Sequence, residues 1–168
     1  MRRVLRWVLI AFGGVLLAIG GLRLVAIASG GPLGPVPGGA LSGESATGDP
    51  PLDALGAARQ IELQVDPASP RSMTTWVLVH DGHVYVPAAF AETKTWPGLA
   101  ASDGRVVLRL GGQLWDRRAV RMTDAAMLST LIGELATKYG FDPADAGTDK
   151  TWVFRLDPPA APELMPAK

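Results

Sequence analysis

Asp81-Gly82 lies between two runs rich in β-branched and aromatic residues, Met73-Thr-Thr-Trp-Val-Leu-Val-His80 and His83-Val-Tyr-Val-Pro87. A two-residue type I′ turn needs positive φ at both central positions, which Asp-Gly tolerates, so the sequence predicts a tight antiparallel hairpin here. The turn fixes the register. His80 then faces His83, Leu78 faces Tyr85, and Val77, Val79, Val84 and Val86 share one apolar face that has to be core. Because Arg71 precedes the first strand and Lys94 follows the second, this pairing also predicts that the two cations come together.

The chain around this hairpin is mostly period two. Gln60–Val65 alternates as a first strand. Gly104–Leu110 and Gln113–Met122 form a second hairpin across Gly111-Gly112, although neither of its faces is purely apolar, which predicts a bulge or an exposed face. Asp124–Tyr139 changes period: Leu128, Leu131, Ile132, Leu135 and Tyr139 make one helical stripe. Asp124 or Thr123 can cap its start, and Gly140 can end it. Thr151–Leu156 is a last strand. Ala89–Ser102 reads as a loop with one helical turn interrupted at Pro97-Gly98. Strand, hairpin, loop, hairpin, helix and strand suit a mainly β fold with one helix, a small six-stranded barrel spanning 54–157.

Two segments precede the barrel. Trp7–Leu22 carries no charge over 16 residues, and Arg2, Arg3 and Arg6 stand before it. With Arg6 and Arg23 turned outward, Val4–Ala28 is long enough to span a bilayer as one transmembrane helix. Residues 1–29 therefore read as an anchor, with a signal peptide ending at Ala26-Ile27-Ala28 as the alternative. In either case the arginine asymmetry keeps the N-terminus in the cytoplasm. The expected protein is thus a single-pass component of the cytoplasmic membrane with an extracytoplasmic (periplasmic) domain. Residues 30–53 hold seven Gly and five Pro in 24 positions and read as a flexible linker. Residues 158–168 read as a disordered tail.

The chemistry is less constrained. The chain has 168 residues and no Cys, which excludes a disulfide framework and a Cys nucleophile. Residues 30–168 carry 12 basic and 16 acidic side chains, the wrong balance for a nucleic-acid binder. His80 and His83 are the only histidines, one short of the three protein ligands usual in a catalytic zinc site, and no metal is expected. The sequence contains no P-loop, dinucleotide-binding glycine motif or serine-triad order, and no catalytic residue can be assigned. Lys94 with Arg71 can form an anion site, or the two can be solvated surface charges on loops. Thr74 and Thr75 can offer hydroxyls to a phosphate or a planar ring. Trp76, Trp96, Trp115 and Trp152 can stack on a ligand or fill core volume.

The layout over Ile61–Leu156 resembles the split-barrel family of flavin- and deazaflavin-dependent oxidoreductases, the superfold of pyridoxamine phosphate oxidase. The resemblance rests on Arg71–Pro87, Lys94-Thr-Trp-Pro-Gly-Leu99, Arg105–Leu110 and Arg117–Asp124. It implies that Lys94 and Trp96 match a loop near the cofactor phosphate, with Arg71 before the matching strand. FMN or a deazaflavin is the implied cofactor, and a homodimer the implied assembly. Thr95-Trp96 stands where the deazaflavin branch has a glycine pair, and Gly98-Leu99 where Asn-Leu often closes the loop. Three functions follow. The first is a membrane-anchored extracytoplasmic module that binds a small anionic ligand or an envelope partner. The second is a flavin- or deazaflavin-dependent oxidoreductase of the nitroreductase or pyridoxamine phosphate oxidase type. The third is a non-catalytic envelope assembly subunit.

Overall fold

The computed structural model describes residues 7, 12–15, 17, 20–21, 25, 30–34, 36–147 and 149–159. The strands are β1 (Glu44–Ser45), β2 (Ile61–Val65), β3 (Arg71–Thr75), β4 (Leu78–His80), β5 (His83–Ala88), β6 (Arg105–Leu110), β7 (Gln113–Arg121) and β8 (Trp152–Asp157). The helices are α1 (Leu52–Ala57), α2 (Thr95–Asp103), α3 (Ala125–Tyr139) and α4 (Pro143–Ala146), with a 3₁₀ turn at Ala91–Thr93. The sheet runs β3-β2-β6-β7-β8-β5-β4, and β1 adds to β7 in parallel. This is a half-barrel with several helices, richer in both strands and helices than the six-stranded, one-helix expectation.

The Asp81-Gly82 hairpin forms as its chemistry requires. Asp81 and Gly82 have φ of 46° and 74°, and the register pairs His80 with His83 and Leu78 with Tyr85. Val77, Val84 and Val86 are buried in the interior cluster, with Val79 packed against it. The strand before the turn is not continuous, however. It stops at Thr75 and resumes at Leu78, because the Tyr139 hydroxyl intervenes at Val77. That oxygen accepts the Val77 N–H at 2.9 Å and lies 2.8 Å from its carbonyl. β3 therefore leaves β5 to pair with β2, and β5 pairs with β8 on its far side. The two ends of the sheet meet at this break, which is where the barrel is split.

α3 follows its sequence signals. The Asp124 side chain accepts the Met127 N–H at 2.8 Å, and Gly140 ends the helix at φ 76°. Leu128, Leu131 and Leu135 pack with Leu78, Tyr85 and Val153 on the outer side of the sheet. Burying each leucine stabilises the fold by about 1.5–3 kcal/mol. α2 differs from the interrupted loop expected. Pro97 is its third residue, inside the first turn, where a backbone N–H has no intrahelical partner to lose. The second hairpin carries no bulge, since β6 and β7 hold one register from Arg105↔Arg118 to Leu110↔Gln113.

The N-terminal expectations are corrected. No helix among the described residues is long and apolar enough to cross a membrane. The transmembrane helix and the single-pass, extracytoplasmic placement built on it are therefore withdrawn. Most of residues 1–29, including the alternative signal cleavage site, and positions 160–168 of the tail lie outside the described residues. Residues 30–53 read as a flexible linker. Instead Leu41 is buried, Gly38 bridges to Ser72, and Glu44–Ser45 pair with β7.

Candidate functional site

Two neighbouring cavities open beside β3 and share Lys94. The first, of about 490 Å³, is lined by Arg71 and Met73 of β3, by Lys94, Thr95 and Trp96 at the start of α2, and by Ser69-Pro70 and Pro37–Gly39. The second, of about 400 Å³, has a mostly apolar wall that includes Trp76, Pro87, Phe90, Ile132, Leu135 and Phe141, with Thr74, Thr75, Thr151 and Asp145 as its polar groups. All five residues singled out from the sequence line one cavity or the other. Alternation along β3 sends Arg71 and Met73 to the first and Thr74 to the second, while Thr75 also reaches the Pro87 carbonyl at 3.4 Å.

Arg71 and Lys94 do share a cavity, but not by the predicted route. Hairpin pairing does not join them, since β3 and β5 belong to opposite ends of the sheet. They meet because the curled sheet brings its ends together and the 3₁₀ turn carries the chain back from β5 toward β3. Neither cation has an ion-pair partner among the described residues. Arg71 is exposed. Lys94 is exposed as a residue, yet partial desolvation of its ammonium at the cavity rim lowers its pKa below the ordinary 10.5.

Aromatic residues divide between ligand walls and core. Trp96 lines the first cavity and also packs on Phe154, with centroids 5.7 Å apart. Trp76 stacks on Tyr139 at 4.2 Å and 6°, which turns one edge of the second cavity into a rigid aromatic wall. Trp115 is core, and its buried indole N–H has no hydrogen-bond partner among the described residues. Trp152 lies under the Arg121 guanidinium at 3.5 Å. The histidines take no part in either cavity: His80 Nδ1 sits 2.7 Å from Glu134 Oε1 and Nε2 3.3 Å from Asp81.

The sequence missed several lining residues. Phe90 is held in the left-handed region at φ 51° and is exposed at the mouth of the second cavity. An aromatic residue in that conformation has no local sequence signal. Pro37–Gly39 come from the segment read as a linker, and Phe141 and Asp145 from the turn after α3.

The fold is similar to that of several solved structures. A candidate pyridoxamine 5′-phosphate oxidase from Listeria innocua superposes with a TM-score of 0.52 at 14% identity, covering 64% of this chain and 90% of its own. The fold is that of the pyridoxamine phosphate oxidase-like split barrels. A conserved hypothetical protein from Mycobacterium tuberculosis gives 0.53 at 18% identity over 64% of this chain and 78% of its own. The haem storage protein HutZ from Vibrio cholerae gives 0.53 at 11% identity over 65% and 87%. No protein-family model matches the chain, and no curated protein matches its sequence. At these identities the split barrel is shared as a fold. Nothing in the comparisons supports membrane anchoring or an envelope role.

Proposed function

We propose that this split barrel binds a phosphate-bearing flavin or deazaflavin and works as an oxidoreductase of that class. One observation carries the reading: two cations with no ion-pair partner among the described residues, Arg71 and Lys94, line a cavity that adjoins a mostly apolar one through Lys94 itself. A ligand with an anionic end and a flat, largely apolar ring system needs that combination. The residues fit the group. Arg71 and Lys94 would hold the phosphate, Thr74 and Thr75 would offer hydroxyls to polar ring atoms, and Trp96 would exclude water beside the charges. A bound flavin or deazaflavin supplies hydride and electron transfer, and the chain supplies binding, orientation and a desolvated wall.

Titration of the full chain with FMN and with a deazaflavin cofactor, followed by absorbance and calorimetry, tests this. Saturable one-to-one binding of either is expected; binding of neither would overturn the proposal. Homodimerisation belongs to the same reading. Sedimentation at micromolar concentration should give a dimer, and monomer alone would remove that part.

A further inference from the structure

Residues 30–34 and 36–49 are tied to the sheet at several points. Gly38 and Ser72 exchange backbone hydrogen bonds of 2.9 and 3.1 Å, which occupies the outer edge of β3. The Leu41 N–H donates to Gln64 Oε1 at 2.7 Å. Arg109, paired with Glu62, donates to the carbonyls of Gly30 and Ser42 at 2.7 Å each. Arg117, a buried arginine, donates to the Gly48 carbonyl at 2.9 Å and pairs with Asp49 at 3.0 Å. Two desolvated guanidiniums spent on one segment are not what a free tether receives.

Close backbone approach completes the fit. A Cβ at Gly43 would collide with the Gly112 carbonyl, and one at Gly38 with the backbone of Gly31 and Pro32. Between the first of these ties and β3, Pro37, Gly38 and Gly39 form part of the wall of the cavity that holds Arg71 and Lys94.

We infer that this strap is a component of the anion site, so that binding of a terminal phosphate or carboxylate and docking of the strap are one coupled equilibrium. The inference rests on the anion-site reading above and adds its own element: with the strap lifted, the cavity loses the wall formed by Pro37, Gly38 and Gly39, and an anion held there is open to water on that side. The charge contacts then weaken, since they depend on partial desolvation. Coupling is reciprocal, so the anion must also favour the docked strap.

Gly43→Val and Arg109→Gln should each loosen the strap, and neither residue lines the cavity. Calorimetric titration of the full wild-type chain and both variants with inorganic phosphate and with FMN should show affinity falling tenfold or more in each variant, while thermal unfolding stays cooperative. In parallel, hydrogen exchange at the Gly38 and Ser72 amides of the wild type should slow when phosphate is added. Variant affinities within twofold of wild type, or exchange unchanged by saturating phosphate, would overturn the coupling. If Gly43→Val fails to fold, Arg109→Gln and the exchange measurement decide. A wild type that binds phosphate but neither FMN nor a deazaflavin retires the cofactor proposal, and the strap is then judged on phosphate alone. A wild type that binds neither phosphate nor FMN overturns both.

Discussion

Replacing Tyr139 with phenylalanine removes one oxygen from the point where the barrel is split. That hydroxyl accepts the Val77 N–H at 2.9 Å and lies 2.8 Å from the Val77 carbonyl and 2.7 Å from the Arg59 carbonyl. Val77 is fully buried, so its N–H loses its partner where water cannot replace it. Its carbonyl keeps the Lys138 ammonium at 2.9 Å. Leaving one buried donor unsatisfied costs about 1–3 kcal/mol, and the retained Lys138 contact puts the expectation near the middle, about 2 kcal/mol. For a chain of this size that corresponds to a fall of about 4–8 °C in Tm. The ring stays, so its stack on Trp76 survives. Tyr139→Leu should lose about 0.5–1.5 kcal/mol more. Urea unfolding of the two variants against wild type measures both steps, and an unchanged m-value would show that the denatured state is not responsible. A loss below about 0.5 kcal/mol for Tyr139→Phe would mean that the strand break does not depend on this hydroxyl.

Lys94→Ala should weaken FMN binding by about 1.5–3 kcal/mol, roughly 10- to 150-fold, because it removes a charged donor. Its urea midpoint should stay close to wild type, since an exposed unpaired lysine contributes little to stability; calorimetry and denaturation check the two halves. Desolvation at the cavity rim lowers the Lys94 pKa from 10.5, which sets the sign of two pH effects. Between the lowered folded value and the ordinary one, the unfolded chain binds more protons, so the Lys94 contribution to unfolding free energy rises with pH there. Over the same window the ammonium is lost, so phosphate affinity falls, beginning at a lower pH than for an ordinary lysine. Titrations from neutral to alkaline pH should show this fall in wild type and not in Lys94→Met.

Elements specified by near neighbours could be read from the sequence. Asp81-Gly82 sets its own turn, and the turn sets the register. Asp124, the Leu128–Leu135 stripe and Gly140 delimit α3 within one short stretch. What could not be read is set at a distance. Nothing near Trp76-Val77 announces a break in a run of good strand residues; the cause is Tyr139, 62 positions on. That Arg71 and Lys94 line one cavity follows from a different cause than hairpin pairing. A continuous hairpin would have joined them by direct pairing, whereas the broken strand joins them by closing the sheet on itself. Pro97 was read as an interruption because its place within a helix cannot be known before the helix start is. At the third position it is tolerated.

The strap shows how two anomalies explain each other. Glycine-rich composition has two physical meanings, freedom in an unfolded linker and close backbone approach in a packed one, and the segment 30–53 alone does not distinguish them. The β6–β7 hairpin posed a separate puzzle, with Arg117 breaking the apolar alternation of β7 and no bulge in the register to account for it. Arg109 projects from the outer face of β6, and Arg117 lies in the inward sequence of β7. Each is buried or half-buried, and each reaches carbonyl oxygens of the strap. A segment whose backbone is bare of side chains presents its carbonyls to guanidinium donors, and Gly43 lets it come within hydrogen-bonding distance of the turn at Gly112. The glycines on one side, and Arg109 and the inward Arg117 on the other, are therefore two halves of one interface. A charged residue that spoils a strand's alternation, paired with a distant glycine-rich stretch of the same chain, is the pattern to seek before that stretch is assigned as a linker.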